Sequence, residues 1–211
     1  MAIIHRTTLK PTKLELLTTW LPTRPWYVGQ GTPELTKAGG FRLDDPAGEV
    51  GIEFMVAMDT SGPHPTAYLV PLTYRGAPLP GAEAALIGTM EHGVLGPRWA
   101  YDGCHDPVSA AQLLALIEGR TQAQAQSTSD TPDREVTRSY TGDGPLPTIA
   151  SAKDDEEGTE LLAQDGTPLR LRRVLRPATA VPPQGAFGHV IGAWNLPDGS
   201  RTRGLFVSVG A

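Results

Sequence analysis

The sequence predicts an α+β fold, an antiparallel β-sheet packed on helices, with additional β-hairpins towards the C-terminus. Three observations lead there. Glu49–Asp59 and Thr66–Arg75 alternate apolar and polar residues with the period of two that a strand requires. Only two segments carry apolar residues at helical spacing, and they do not alternate with strands as crossover helices would, which argues against a parallel sheet. The 24 glycines and 20 prolines among 211 residues then supply many turns.

The elements follow in chain order. Met1–Leu9 reads as a strand or extended arm. Thr12-Lys-Leu-Glu15 has the spacing of a capping box, in which the threonine hydroxyl takes an orphan N–H and Glu15 reaches back. Leu14, Leu17 and Leu21 then share a helical face beside Trp20, and Pro22 ends the helix. In Glu49–Asp59, Val50, Ile52, Phe54, Val56 and Met58 point one way, and Glu49, Gly51, Glu53 and Asp59 the other. Residues 60–65 make the turn into Thr66–Arg75, where Pro71 cannot donate to a ladder and predicts an edge or a bulge. Ala84–Met90 and Val94–Tyr101 read as shorter strands. Asp106-Pro107 opens a helix as N-cap and first residue, Ala110, Leu113, Leu114 and Ile117 form its apolar stripe, and Gly119 closes it. Two hairpins are expected last: Glu160–Leu175 around Gln164-Asp-Gly166, and Phe187–Val209 around Pro197-Asp-Gly199.

Composition narrows the function classes. Hydrophobic residues make up 39% and charged residues 19% of the chain, with net charge −5. The charge is uneven: residues 1–119 carry net −4, 120–160 net −5 and 161–211 net +4. Overall acidity argues against a nucleic-acid binder. No run of 18 apolar residues occurs, and the start turns polar by His5 and Arg6, so neither a membrane span nor a signal peptide is expected and the location expected is cytoplasmic. Cys104 stands alone, which excludes an internal disulfide framework. The polar tract 121–130 and the acidic run Asp154-Asp155-Glu156-Glu157 lack apolar periodicity. The expected organisation is therefore a core over 1–120, a polar acidic linker over 121–158 and C-terminal hairpins over 159–211, joined to the same domain.

Motifs for autonomous chemistry are missing. No phosphate-binding G-x-x-x-x-G-K-[ST] occurs, and Gly29-Gln-Gly31 lacks the third glycine of a dinucleotide fingerprint. No kinase catalytic motif and no G-x-S-x-G nucleophile elbow is present. Asp102-Gly-Cys-His-Asp106 gathers metal-friendly groups without metal-ligand spacing or a second cluster, so no metal or other cofactor is expected. Among aromatic residues, Trp99 and Tyr101 share a strand face and, with Tyr68, could stack on a sugar in the sheet's concavity, although core packing is the commoner use of such rings. Arg170 and Arg172 lie in a basic strand that could meet an acidic partner, or be neutralised by the acidic run.

Trp20-Leu-Pro-Thr-Arg-Pro-Trp26-Tyr-Val-Gly29 resembles the W-L-x-x-R-x-W-Y-x-G signature near the start of actinobacterial maltokinases. Matching residues are Trp20, Leu21, Arg24, Trp26, Tyr27 and Gly29. Tyr68-Leu-Val-Pro-Leu72, Trp99-Ala-Tyr-Asp102 and Asp106-Pro107 resemble later blocks of the same N-terminal cap, which related glucosamine kinases share. The resemblance implies a cystatin-like cap, a curved antiparallel sheet embracing a helix, in which Trp20, Arg24, Trp26, Tyr27, Gly29, Asp102 and Asp106 serve structure. The chain reaches Ala211 without the family's phosphate-binding and catalytic lobes, so no ATP, magnesium or sugar residue transfers. The function expected is that of a non-catalytic, stand-alone cap-like protein, a regulator or adapter contacting a sugar kinase or an enzyme of α-glucan, trehalose or glucose metabolism. The alternatives are a sugar-binding module, and an enzyme of unrecognised mechanism around Cys104 and His105. The surfaces expected to make contact are the face bearing Met55 and Ala57, the edge near Pro71 and the basic strand; a homodimer through an unpaired edge would use the same logic.

Overall fold

A computed structural model describes residues 9–128, 130–177 and 182–210. Its elements run β1 (Leu9–Lys10), α1 (Lys13–Trp20), β2 (Leu35–Leu43), β3 (Gly51–Asp59), β4 (Thr66–Arg75), β5 (Leu86–His92), β6 (Gly96–Asp102) and α2 (Pro107–Glu118). The chain continues through β7 (Gln124–Ala125), β8 (Thr137–Tyr140), β9 (Ile149–Asp155), β10 (Gly158–Ala163), β11 (Pro168–Arg172), β12 (Val174–Leu175), β13 (Gly188–Asn195) and β14 (Arg201–Val209). Most of the expected arm over Met1–Leu9 lies outside the described residues. Mostly antiparallel sheet with two short helices, the fold is more β-rich than the α+β expectation.

Both helices begin where side chains satisfy their orphan N–H groups. Thr12 accepts from Glu15 N–H while the Glu15 carboxylate accepts from Thr12 N–H, the full capping box. Asp106 accepts from Val108 N–H at 2.9 Å, Pro107 takes the first helical position, and Gly119 ends α2 with φ +79°.

The sheet follows the order β1-β5-β6-β4-β3-β2-β13-β14-β11-β10-β9, with β12 on β4, β7 on β2 and β8 on β13. Along that order its two halves meet at one narrow pairing, Trp194 opposite Gly39, and β12 on β4 is a second link between them. Strand β2 turns towards that meeting through a bulge between Lys37 and Gly39. Gly40 makes the turn possible: φ is +114°, and a Cβ there would lie 2.0 Å from the Phe54 carbonyl oxygen.

Strand β3 is buried on both faces. Ile52, Phe54, Val56 and Met58 join Leu113, Leu114 and Ile117 of α2 and Trp194, Phe206 and Val207 of β13–β14 in the main core. On the opposite face, Met55 and Ala57 pack with Leu17, Trp20, Leu21, Trp26, Tyr68, Val70 and Leu72. The Met55–Ala57 face is thus closed by α1 and its aromatic residues instead of standing open to a partner. A strand read as half-exposed is interior because α1, ending in Trp20, and the segment after it, carrying Trp26, complete the second layer.

Two more expectations change. Pro71 sits in an interior strand: β3 lies on one side, and on the other β12 pairs at Ala67–Tyr68 while β6 pairs at Leu72–Arg75. The proline occupies the gap between those partners, an internal edge where no donor is needed. Residues 121–158 contain β7, β8 and β9 instead of forming a linker throughout. Strand β9 pairs with β10 from Ile149 to Asp155, and Arg170 neutralises the acidic end by bonding Asp155 at 2.6 Å. Charge pairing across the hairpin replaces the apolar periodicity that the segment lacks.

Candidate functional site

The tryptophan-rich segment after α1 folds into a small aromatic cluster. Trp20 and Trp26 meet edge to face at 5.7 Å, and the Arg24 guanidinium lies 5.0 Å from the Trp20 ring. Tyr27 donates to the Asp59 carboxylate at 3.1 Å, and Val28 N–H donates to the Tyr68 hydroxyl at 3.2 Å. Partial burial, aided by the Asp59 charge, pushes the Tyr27 hydroxyl up to about 12. Gly29 has to be glycine while Tyr27 keeps this pose, since a Cβ would come 2.2 Å from the phenolic oxygen. Asp59 anchors the following segment as well, accepting from the N–H groups of Glu34 and Ser61 at 3.0 Å each.

At the other end, Asp106 caps α2 and receives both arms of the Arg75 guanidinium at 2.7 Å. Burial works to raise its carboxyl, but the Arg75 and backbone bonds prevail and hold it below the ordinary carboxylate value.

The residues between Trp20 and Asp106 match the family model of the maltokinase N-terminal cap domain, over residues 20–106. Residues 20–106 form a maltokinase cap-like domain. Its matched boundaries fall on the first tryptophan of the aromatic cluster and on the N-cap of α2. No curated protein matches the chain.

Within this cap-like domain the expected stacking residues are mainly packing residues. Tyr68 is wholly buried in the aromatic cluster. Tyr101 is buried against Ala82 and Ala85, and its hydroxyl accepts from Leu79 N–H at 2.8 Å. Trp99 is half-buried at the margin of that group. The structure brings Trp99 and Tyr101 together but sets Tyr68 apart in another cluster, so no platform of three rings is formed. Arg170 is engaged with Asp155 and lies 3.8 Å from Glu160, while Arg172 is half-buried on the same strand.

The arginine that matters most to the packing is Arg173. It is completely buried, donates to Asp102 at 2.5 Å and Thr159 at 2.7 Å, lies 3.9 Å from Asp154 and covers the Trp26 ring at 4.9 Å. Its carbonyl accepts from Leu69 N–H at 2.9 Å, so backbone and side chain both join the cap-like domain. The signal was in the alternation: Leu169, Leu171, Arg173 and Leu175 share one parity and all are buried. A charge in register with an apolar face needs a buried counter-charge, which Asp102 supplies.

Asp102, His105 and Asp154 bring their ligand atoms within 4.8 Å of one another. The Arg173 guanidinium already occupies the space between the two carboxylates, bonded to Asp102 and 3.9 Å from Asp154. The arrangement is therefore chemically an ion-pair node. Cys104 lies buried beside it, and desolvation pushes its thiol well above the ordinary range, against the pull of Arg173. A protonated, enclosed thiol is a poor nucleophile.

One groove adjoins the cap-like sheet. It encloses about 840 Å³ between residues 9–15 and the strands, with Met55 and Lys37 from β3 and β2 on the opposite wall. Beneath it, Glu53 is buried and bonds Lys13, the Tyr74 hydroxyl at 2.8 Å and Gln126 at 3.1 Å. Burial opposes the Glu53 charge, but Lys13, then Lys37 and Tyr74, hold its carboxyl below the ordinary value. The alternation of β3 sets Glu53 on the face opposite Ile52 and Phe54, and the lysines around it come from α1 and β2, distant in sequence. Among the described residues no helix is long and apolar enough to cross a membrane.

Proposed function

We propose that this chain works by contact and not by catalysis of its own: a cytoplasmic maltokinase-cap-like adapter or regulator. Its partner would be a sugar kinase or another enzyme of α-glucan, trehalose or glucose metabolism, and its sheet would take the cystatin-like part of a kinase cap. The observation that carries this reading is the direction in which the matched domain uses its polar residues. Asp59, Asp102 and Asp106 hold loops, an arginine and a helix in place, and the one thiol is enclosed. Such a domain presents shape and charge to a neighbour, as a cap mounted on a kinase body does.

The test is affinity capture of the tagged protein from its native host, grown on glucose and under glucan-accumulating conditions, followed by mass spectrometry. Reproducible recovery of a sugar kinase or a glucan or trehalose enzyme is expected, together with a changed kcat/KM of that enzyme when the purified protein is added. Recovery of no such enzyme under either condition, or recovery with no effect on its kinetics, overturns the regulatory reading.

A further inference from the structure

The groove beside α1 is unusual for this chain in its charge. The sequence has only four lysines, Lys10, Lys13, Lys37 and Lys153, and the first three line this one groove. Their net charge is only partly offset. Lys13 bonds Glu53 and lies 4.9 Å over the Tyr74 ring, which fixes it in the wall. Glu15 is turned back onto Thr12 by the capping box. Lys37 reaches Glu53 only at 3.8 Å and remains substantially exposed, and Lys10 stands opposite Glu91 across the β1–β5 pair without forming an ion pair among the described residues. Leu9, Pro11 and Leu14 supply apolar surface between these ammonium groups, and Met55 lies buried at the floor.

From this we infer that the groove docks an extended acidic segment of a protein partner, with apolar side chains against Pro11 and Leu14 and carboxylates on Lys10 and Lys37. The inference rests on the contact-based reading above and names the chemistry of the partner. Charge complementarity selects the occupant: an acidic chain of net −5 concentrates three of its four lysines at one opening, so an anionic strand is attracted here. The groove's length along residues 9–15 suits an extended peptide better than a compact anion. Lys37 also has reason to take a carboxylate: partial burial disfavours its charge, Glu53 supports it, and Lys13 and Arg42 add smaller repulsions.

Fluorescence anisotropy of the full chain with a short fluorescein-labelled peptide alternating glutamate and leucine tests the idea. Saturable binding is expected, weakened more than about tenfold by Lys10→Glu/Lys37→Glu and by severalfold higher salt, with no binding of a lysine–leucine peptide. Lys13 is left intact because Glu53 depends on it. Circular dichroism of the double variant checks that the fold is retained. No saturable binding, binding insensitive to the two reversals, or complete displacement by inorganic phosphate overturns the proposal. The same double variant separates it from the adapter reading. An enzyme captured equally by variant and wild type sinks the groove and leaves the adapter. Charge-dependent peptide binding without any captured enzyme sinks the adapter and leaves the groove.

Discussion

Arg173 joins four parts of the chain through one side chain and its own carbonyl: the end of β6 at Asp102, β10 at Thr159, the aromatic cluster at Trp26, and β4 at Leu69. Removing one partner of a buried ion pair leaves the other charge without compensation, which typically costs about 3–5 kcal/mol. Arg173→Ala is therefore expected to lower the urea-unfolding free energy by about that amount. Asp102→Asn should cost much less in the Arg173→Ala background than in the wild type, because the charge that it neutralises is then already unpaired. Additive losses across this double-mutant cycle would mean that the pair contributes only packing. The guanidinium Nη1 has no hydrogen-bond partner among the described residues, so part of the desolvation is not recovered there. This residue fixes how segments meet more than it adds to stability.

At the scale of elements, α2 shows how one side chain can set both a helix start and a pH dependence. Asp106 caps the helix and takes a bidentate bond from Arg75. Its carboxyl is held below the ordinary value, so the folded state binds its proton less readily than the unfolded chain. The stability that follows is complete above the unfolded value of about 3.9 and is lost as pH falls through the lower folded value. Asp106→Asn should keep much of the cap, lose the ion pair, and flatten this acid limb of a stability–pH profile; Asp106→Ala should lose more, by about 1 kcal/mol for the cap. A profile for Asp106→Asn as steep as the wild type would place the acid sensitivity elsewhere, with buried Glu53 the next carboxylate to change.

The same elements show what the sequence made legible. The capping box, the Asp106-Pro107 start and the alternation of β3 and β4 are local rules, and the structure follows them. Strand β2 was not recognised because Gly39-Gly40 interrupts its alternation where it bends towards β13. Strand β9 is not legible because its acidic end lacks apolar periodicity and is held instead by pairing with β10 and by Arg170 of β11 on Asp155. The matched signature was legible residue by residue. The groove was not, because Lys10, Lys13, Lys37 and Glu53 converge only after β2, β3 and α1 have packed.

For the molecule as a whole, the C-terminal strands finish the core of the cap-like domain. Trp194, Phe206 and Val207 share one apolar cluster with Phe41, Phe54 and the stripe of α2, and Phe41 stacks on Phe54 at 4.7 Å with Phe206 beyond it at 6.3 Å. A chain cut after residue 158 would lose these rings together with Arg173 and β10–β14. It would leave exposed apolar side chains, each of which contributes about 1.5–3 kcal/mol when buried. Several such losses together, among them Leu169, Leu171, Trp194, Phe206 and Val207, approach a small domain's entire stability of about 5–15 kcal/mol. The fragment 1–158 is therefore expected to show no cooperative thermal transition and to bind hydrophobic dyes, although it contains every residue matching the family model. A cooperative transition in that fragment would mean that residues 20–106 are self-sufficient and that the C-terminal hairpins are an addition. Loss of folding would instead make Arg173 and the β13–β14 core part of what holds the cap-like domain together.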